Sequence, residues 1–307
     1  MRKSKDTVHC QPICLVCESL DYSTFHRFDE WKVIRCMNCT LLYIHPLPSK
    51  EHLFSIADDS HSGAGIDHIQ HYFSAHDLSN HHDPVVQSFS TILDLLEESV
   101  EGRRLLDVGS GDGTFVALAI KRGWDAFALD CSPIAGKVAR ESYGVETLTY
   151  DFCSDGVLVE EHFDVVTMLD FLEHVIDPIT AVRQARELIQ KDGVFLVNSP
   201  NHQSVLCWVI DSFRHISVRS VRNVIQRYYG VAHVSIFNPR SLAHLLKKGG
   251  FAVEVVGENS PVLDRLAFSL PVRLILRLII LVGKLLRRQS RVWVLARAAT
   301  DLNCGRK

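Results

Sequence analysis

An α/β fold is what the sequence predicts, and three observations carry it. An apolar run, Arg104 to Val108, ends in the turn Gly109-Ser110-Gly111-Asp112-Gly113, which opens into a helical segment, Thr114 to Arg122. Further short apolar runs follow in order, each closed by an acid: Trp124 to Leu129 then Asp130, Glu146 to Thr149 then Asp151, Phe163 to Met168 then Leu169-Asp170. Between and after them lie stretches with helical spacing and helix stops. Strands and helices that alternate in this way describe βαβ units.

The glycine turn sets the chemistry of the first unit. Glycine lets the backbone take left-handed dihedrals and lets a ligand approach the main chain. The free N–H groups of the helix that follows then face that ligand. The spacing is G-x-G-x-G; a dinucleotide fingerprint would place its third glycine one residue later, where Thr114 stands. Asp130 lies about twenty residues past the first glycine, where such folds hold a carboxylate for ribose hydroxyls.

The remaining elements follow the same logic. Val85 to Glu98 carries Val86, Phe89, Ile92, Leu93 and Leu96 at helical spacing and predicts a helix packed on the sheet. Ser132 is an N-cap with Pro133 at the first position of a helix reaching Tyr143. Ile179 to Gln190 predicts a helix stopped by Asp192-Gly193, with a strand from Gly193 to Asn198. Ser241 to Lys248 predicts a helix ended by Gly249-Gly250, then a strand from Phe251 to Gly257. A last strand is expected near Val292 to Arg297.

Taken together, LLDVGSGDG, ALD, the acid in TYDF, FDVVTMLDFLEHVIDP, LIQKDGVFLVNSPN and HVSIFNPRSLAHLLKKGGF resemble the class I S-adenosylmethionine-dependent methyltransferases. Their order and spacing are similar to the subgroup of ubiquinone-pathway O-methyltransferases and enzymes of polysaccharide gene clusters. The resemblance spans roughly residues 85 to 258 plus the last strand. It implies a Rossmann-like, seven-stranded, mostly parallel sheet with helices on both faces and an antiparallel last strand. It implies cofactor contacts at Asp107, Gly109, Gly111, Gly113, Asp130, Asp151, Leu169 and Asp170. The glycine turn would hold the methionine part, Asp130 the ribose and Asp151 the adenine amino group. Glu173 and His174 follow strand Phe163 to Met168 at the open end of the sheet, and His233 is a further base candidate. In relatives, an acid-x-x-Glu-His cluster like Asp170, Glu173 and His174 is associated with a divalent metal. A loop-buttressing role is the preferred reading of it here.

Residues 1–45 predict a different unit. Cys14-x2-Cys17 and Cys36-x2-Cys39 have the spacing of a zinc ribbon, in which two tight turns aim four thiolates at one tetrahedral centre. A hairpin around Tyr22 to Arg35 would join them. So small a segment buries little apolar area, so metal would supply its folding free energy. CxxC pairs also suggest a reducing, cytoplasmic setting rather than a disulfide framework. Similar modules precede the methyltransferase domains of sugar C-methyltransferases. Residues 46–84 are a histidine-rich polar connector, partly helical from Ile66 to Phe73, and 85–307 are the expected catalytic domain.

The net charge of −3 suggests no nucleic-acid partner. It conceals a +8 tail, from Asn259 onward, on a body of −11. The charged stretch Met1 to Asp6 runs into no apolar segment of the signal-peptide kind. Residues 203–230 carry Arg214, Arg219, Arg222 and Arg227 where the family builds its acceptor cover. Residues 262–288 include an amphipathic helix from Pro271, with Arg273, Arg277, Lys284 and Arg288 on one wedge. That pattern suits peripheral contact with an anionic membrane, or else a partner subunit. The acceptor is expected to be a small molecule, glycan, sugar nucleotide or lipid-linked group methylated on oxygen, with carbon as the alternative. A non-catalytic scaffold that binds S-adenosylmethionine and zinc at a membrane surface is the competing class.

Overall fold

The computed structural model describes residues 11–28, 30–55, 75–153, 162–212, 229–230, 232–260 and 270–299. The expected helix at residues 66–73 and the arginines of 213–228 lie outside them. The main sheet has seven strands: β4 (Arg104–Val108), β5 (Asp125–Asp130), β6 (Thr147–Thr149), β7 (Phe163–Leu169), β8 (Ile189–Pro200), β10 (Phe251–Asn259) and β11 (Arg291–Ala298). Their spatial order is β10-β11-β8-β7-β4-β5-β6. The pairs β4–β5, β4–β7, β5–β6 and β7–β8 are parallel; β11 runs antiparallel to both of its neighbours.

Alternation along the strands builds the two faces. Leu105, Val165, Val194 and Leu196 join Val86, Leu93 and Leu96 of helix Pro84–Ser99 and Phe115 of helix Thr114–Lys121 in one apolar cluster. Their neighbours Leu106, Val166, Phe195 and Val197 face the other way, toward Val182 of helix Pro178–Leu188 and Leu242 and Leu245 of helix Pro239–Lys248. Period-two side-chain direction therefore gives a sheet buried on both sides. The Ser132 cap is where the sequence places it, accepting from Ala135 N–H; Asp83 and Asn238, which the sequence reading did not single out, cap the helices that follow them.

Two of the boundaries that differ from expectation have a visible local cause. The helix expected to reach Gln190 stops at Leu188, because β-branched Ile189 already pairs with Phe163 and begins β8. The amphipathic helix runs Leu270–Leu285. Arg287 takes φ 52°; its N–H donates to Lys284 C=O, and Arg288 N–H donates to Gly283 C=O. That closing turn leaves Arg288 beyond the helix.

A second, antiparallel sheet has the order β1-β2-β3-β9, from β1 (Tyr22–Arg27), β2 (Lys32–Cys36), β3 (Leu42–His45) and β9 (Ser235–Ile236). The first three strands belong to the cysteine segment. The fourth comes from the far side of the chain, with Leu42 opposite Ile236 and Tyr43 opposite Ser235. Cys14, Cys36, Cys39, Leu41 and Tyr43 lie in the same apolar cluster as the Leu106 face of the large sheet. Thus the cysteine segment packs onto the methyltransferase-like body.

Candidate active site

The C-terminal ends of the parallel strands gather the candidate site. At the end of β4, Gly109 takes φ 80°, and a side chain there would meet the Phe171 ring at 2.7 Å. Gly113, φ 75°, stands before helix Thr114–Lys121, with no side chain capping that helix. A Cβ at Gly113 would lie 2.7 Å from Ala139 Cβ, so glycine is required for conformation and for space. Asp130, at the end of β5, is buried, and its two oxygens accept from Gly111 N–H and Ser132 N–H, both at 2.9 Å. Each oxygen keeps a second lone pair, so the carboxylate is oriented by the loop without being exhausted.

Asp107 plays a different part from the loop residues beside it. Its carboxyl is buried in the sheet and accepts from Thr167 Oγ1 at 2.6 Å, tying β4 to β7. Burial pushes its pKa up to about 7; the Thr167 hydrogen bond works against this, and the charges of Asp130 and Asp112 add to it. Asp151 accepts from Cys153 N–H at 3.0 Å and lies 3.7 Å from the Lys50 ammonium. Leu169 ends β7. Asp170, φ 58°, follows it, donates its N–H to Asn198 C=O, and pairs with Arg291 at the start of β11.

The next turn holds the candidate base. Glu173 is buried and accepts from Ser199 Oγ at 3.0 Å. Burial raises its pKa to about 7, and the Asp170 charge pushes the same way. His174 Nδ1 lies 2.7 Å from the Ala232 carbonyl, which only accepts, so Nδ1 carries the proton and Nε2 keeps its lone pair in the neutral ring. Surrounding protein lowers the His174 pKa, an effect tempered by the ring's exposed edge. The Ala232 hydrogen bond acts the other way, as do the Asp170 and Asp130 charges. His233 stacks at a tilt on His174, ring centres 5.2 Å apart. Ligand atoms of Glu173, His174 and His233 come within 4.8 Å of one another. Asp170 is not in that group; its carboxylate answers Arg291 instead.

Sequence reasoning missed two buried polar atoms in this region. Ser110 Oγ, in the glycine turn, and Asn198 Oδ1, beside Leu169 on β8, have no partner among the described residues. Orphaned buried acceptors and donors are uncommon in folded proteins. Ser110 carried a signal in its position between two glycines; Asn198 carried none.

The four cysteines form a second centre. Cys14 and Cys39 sulfurs are 3.4 Å apart, as are those of Cys17 and Cys36, and all four lie within 4.8 Å. Sulfurs around tetrahedral zinc, with bonds of about 2.3 Å, stand about 3.8 Å apart. Both knuckles close alike: Glu18 N–H donates to Cys14 C=O and Thr40 N–H to Cys36 C=O, and Glu18 and Thr40 take φ 59° and 66°. The donor set and its geometry fit zinc.

Comparison with known proteins agrees with this geometry. Residues 79–256 match the family model described as a methyltransferase domain. The ubiquinone biosynthesis O-methyltransferase of Alkalilimnicola ehrlichii is 34% identical over 109 residues, 33% of this chain and 43% of that protein. The Acinetobacter baumannii protein of the same name is 27% identical over 161 residues, 50% of this chain and 65% of its own. The chain spans about half the length of the curated relatives it matches. Magnesium protoporphyrin IX methyltransferase from Synechocystis PCC 6803, solved with bound SAH, shares the fold: TM-score 0.53, 13% identity, 80% of this chain and 99% of that one. The fold and the glycine turn are those of the class I S-adenosylmethionine-dependent methyltransferase family. The chain belongs to that methyltransferase-domain family.

Proposed function

We propose that this chain transfers the methyl group of S-adenosylmethionine to an oxygen of a small-molecule acceptor. One observation carries the reading. The glycine turn and Asp130 follow β4 and β5, and the Glu173–His174 turn follows β7, so the two groups stand after the C-terminal ends of neighbouring parallel strands, with His233 against His174. The residues present fit the cofactor. Ser110 and the helix N-terminus at Thr114 would face its methionine part, Asp130 its ribose hydroxyls, and Asp151 its adenine. When bound, it supplies a sulfonium methyl already activated for in-line displacement.

The protein's work is then alignment and proton handling. Phe171 and the Gly109 backbone shape the floor on which donor and acceptor meet. His174 Nε2 takes the acceptor hydroxyl's proton, with Nδ1 held by Ala232 C=O and the ring supported by His233. Glu173, buried against Ser199, fixes the turn that carries His174. Glycan, sugar-nucleotide and lipid-linked hydroxyls are the acceptor classes to compare, with carbon methylation as the alternative. The four cysteines hold a structural zinc.

The test is isotope-labelled methyl donor with an acceptor panel, read by mass spectrometry, for wild type and His174→Ala. We expect kcat to fall by roughly 10²–10⁴ in the variant, with donor affinity retained. Wild-type kcat in His174→Ala would remove the proton-acceptor role. Donor binding in calorimetry without methyl transfer to any acceptor would favour the scaffold reading, and failure of the wild-type protein to bind the donor would overturn both.

A further inference from the structure

Helix Leu270–Leu285 is apolar on two sides, and the structure separates them. Gly283, its buried residue, is covered by the Arg288–Gln289 backbone of the closing turn, and the helix as a whole packs beside helix Val205–Ser212. Leu270, Leu274, Leu278, Leu281 and Leu285 form a stripe about 80° wide, centred about 180° from Gly283. All five are exposed, Leu278 by 61% and Leu285 by 75%. Trp208, on the neighbouring helix, is 68% exposed. Scattered exposed leucines need no explanation; a continuous stripe of five on one helix marks a docking surface.

Charge decides what docks there. Arg273, Arg277 and Lys284 fall within about 40° of one another, immediately beside the leucine stripe. Arg277 and Lys284 are exposed, and Arg287 and Arg288 extend the basic edge past the helix end. From Leu270 to Ala298 the sequence has no acidic residue. A second copy laid stripe to stripe would bring arginine against arginine without a carboxylate between them. An anionic lipid surface answers both features: acyl chains take the leucines and phosphates take the basic edge. No helix among the described residues is long and apolar enough to cross a membrane, so the contact lies in the plane of the surface.

The face is wired to the candidate site. Val205 N–H donates to Arg288 C=O at 3.0 Å. Three residues further on, Arg291 pairs with Asp170. The geometry points to a lipid-docking face: helix Leu270–Leu285 and Trp208 lie in the plane of an anionic bilayer and present the site to a hydroxyl acceptor carried in that bilayer. The acceptor clause rests on the methyl-transfer reading; the docking clause does not.

The experiment is co-sedimentation of the full chain with phosphatidylcholine vesicles, with and without roughly one-third phosphatidylglycerol. Tryptophan emission is followed in parallel, with Trp208→Phe as control. Binding should require phosphatidylglycerol, weaken as salt rises, and shift Trp208 emission to the blue. Arg277→Gln with Lys284→Gln and Arg288→Gln should weaken it roughly a hundredfold. Leu278→Glu should abolish it, with donor affinity in calorimetry showing that both variants stay folded. Three results overturn the proposal: no binding to anionic vesicles, equal binding to neutral ones, or a stable dimer that Leu278→Glu dissociates. Docking without any methyl transfer would sink the catalytic reading and leave the face standing.

Discussion

The two sheets of this molecule are built on opposite plans. In the seven-stranded sheet, helices link β4 to β5, β5 to β6 and β7 to β8, and alternating apolar side chains close the core on both faces. In the four-stranded sheet, a hairpin gathers four cysteines and then borrows its last strand from Ser235–Ile236. The candidate site inherits this division. Its proposed donor half, Gly109 to Asp130, is local in sequence. Its acceptor half needs the borrowed strand, because Ala232 and His233 stand just before it and meet His174. The lesson is that a small ribbon, remote from the glycine turn in sequence, braces one wall of the site.

Breaking the ribbon gives the largest expected effect. Cys36→Ser should abolish stoichiometric zinc in elemental analysis and cost about 4 kcal/mol, a fall of roughly 10 °C in unfolding midpoint. Below that midpoint, kcat should fall more than donor affinity does. Equal losses in both would erase the distinction between the two halves.

Asp130→Ala reverses the test. Donor affinity should drop by roughly tenfold to a hundredfold, the worth of a charge-assisted pair, while zinc content and vesicle binding persist. Unchanged affinity in the folded variant would remove Asp130 from the donor half.

The smallest effect sharpens the contrast inside the large sheet. Asp107 has a folded pKa raised to about 7 from an ordinary 3.8. An acid shifted upward contributes stability that is full below its unfolded pKa and lost as pH rises through the folded value. Glu173, raised to about 7, adds in the same direction. Unfolding midpoints should therefore decline from pH 4 to pH 7 on account of these groups. Asp107→Asn, which keeps an acceptor for Thr167, should flatten that decline by a few degrees. An unaltered profile would mean that Asp107 is ionised in the folded sheet.

Local chemistry was legible in the chain, and pairing across distance was not. The glycine turn, the Asp130 position, the Ser132 cap and both cysteine knuckles are short-range patterns, and each lies where its spacing puts it. Asp107 reads as one more residue of the glycine motif; that its partner would be Thr167 depends on the β4–β7 register. His233 reads as a base candidate near the acceptor cover, but its contact with His174 depends on β9 joining β3. The amphipathic helix was visible as a wedge and an apolar remainder. Which part of that remainder faces the protein depends on the packing of helix Leu270–Leu285 beside helix Val205–Ser212.

The borrowed strand also orders events on the ribosome. Cys14 to Cys39 emerge early, and their thiolates can close on metal while most of the large sheet is unmade. The strand that completes their sheet is synthesised only when Ser235 appears, roughly ten to forty seconds later at ~5–20 residues per second. Through that interval β3 has an open edge, with the backbone of Leu42 and Tyr43 unpaired on one side. A nascent chain that stalls before Ser235 thus exposes a sticky ribbon, and a chain that is finished hides it. Completion of the ribbon becomes a mark of completed synthesis.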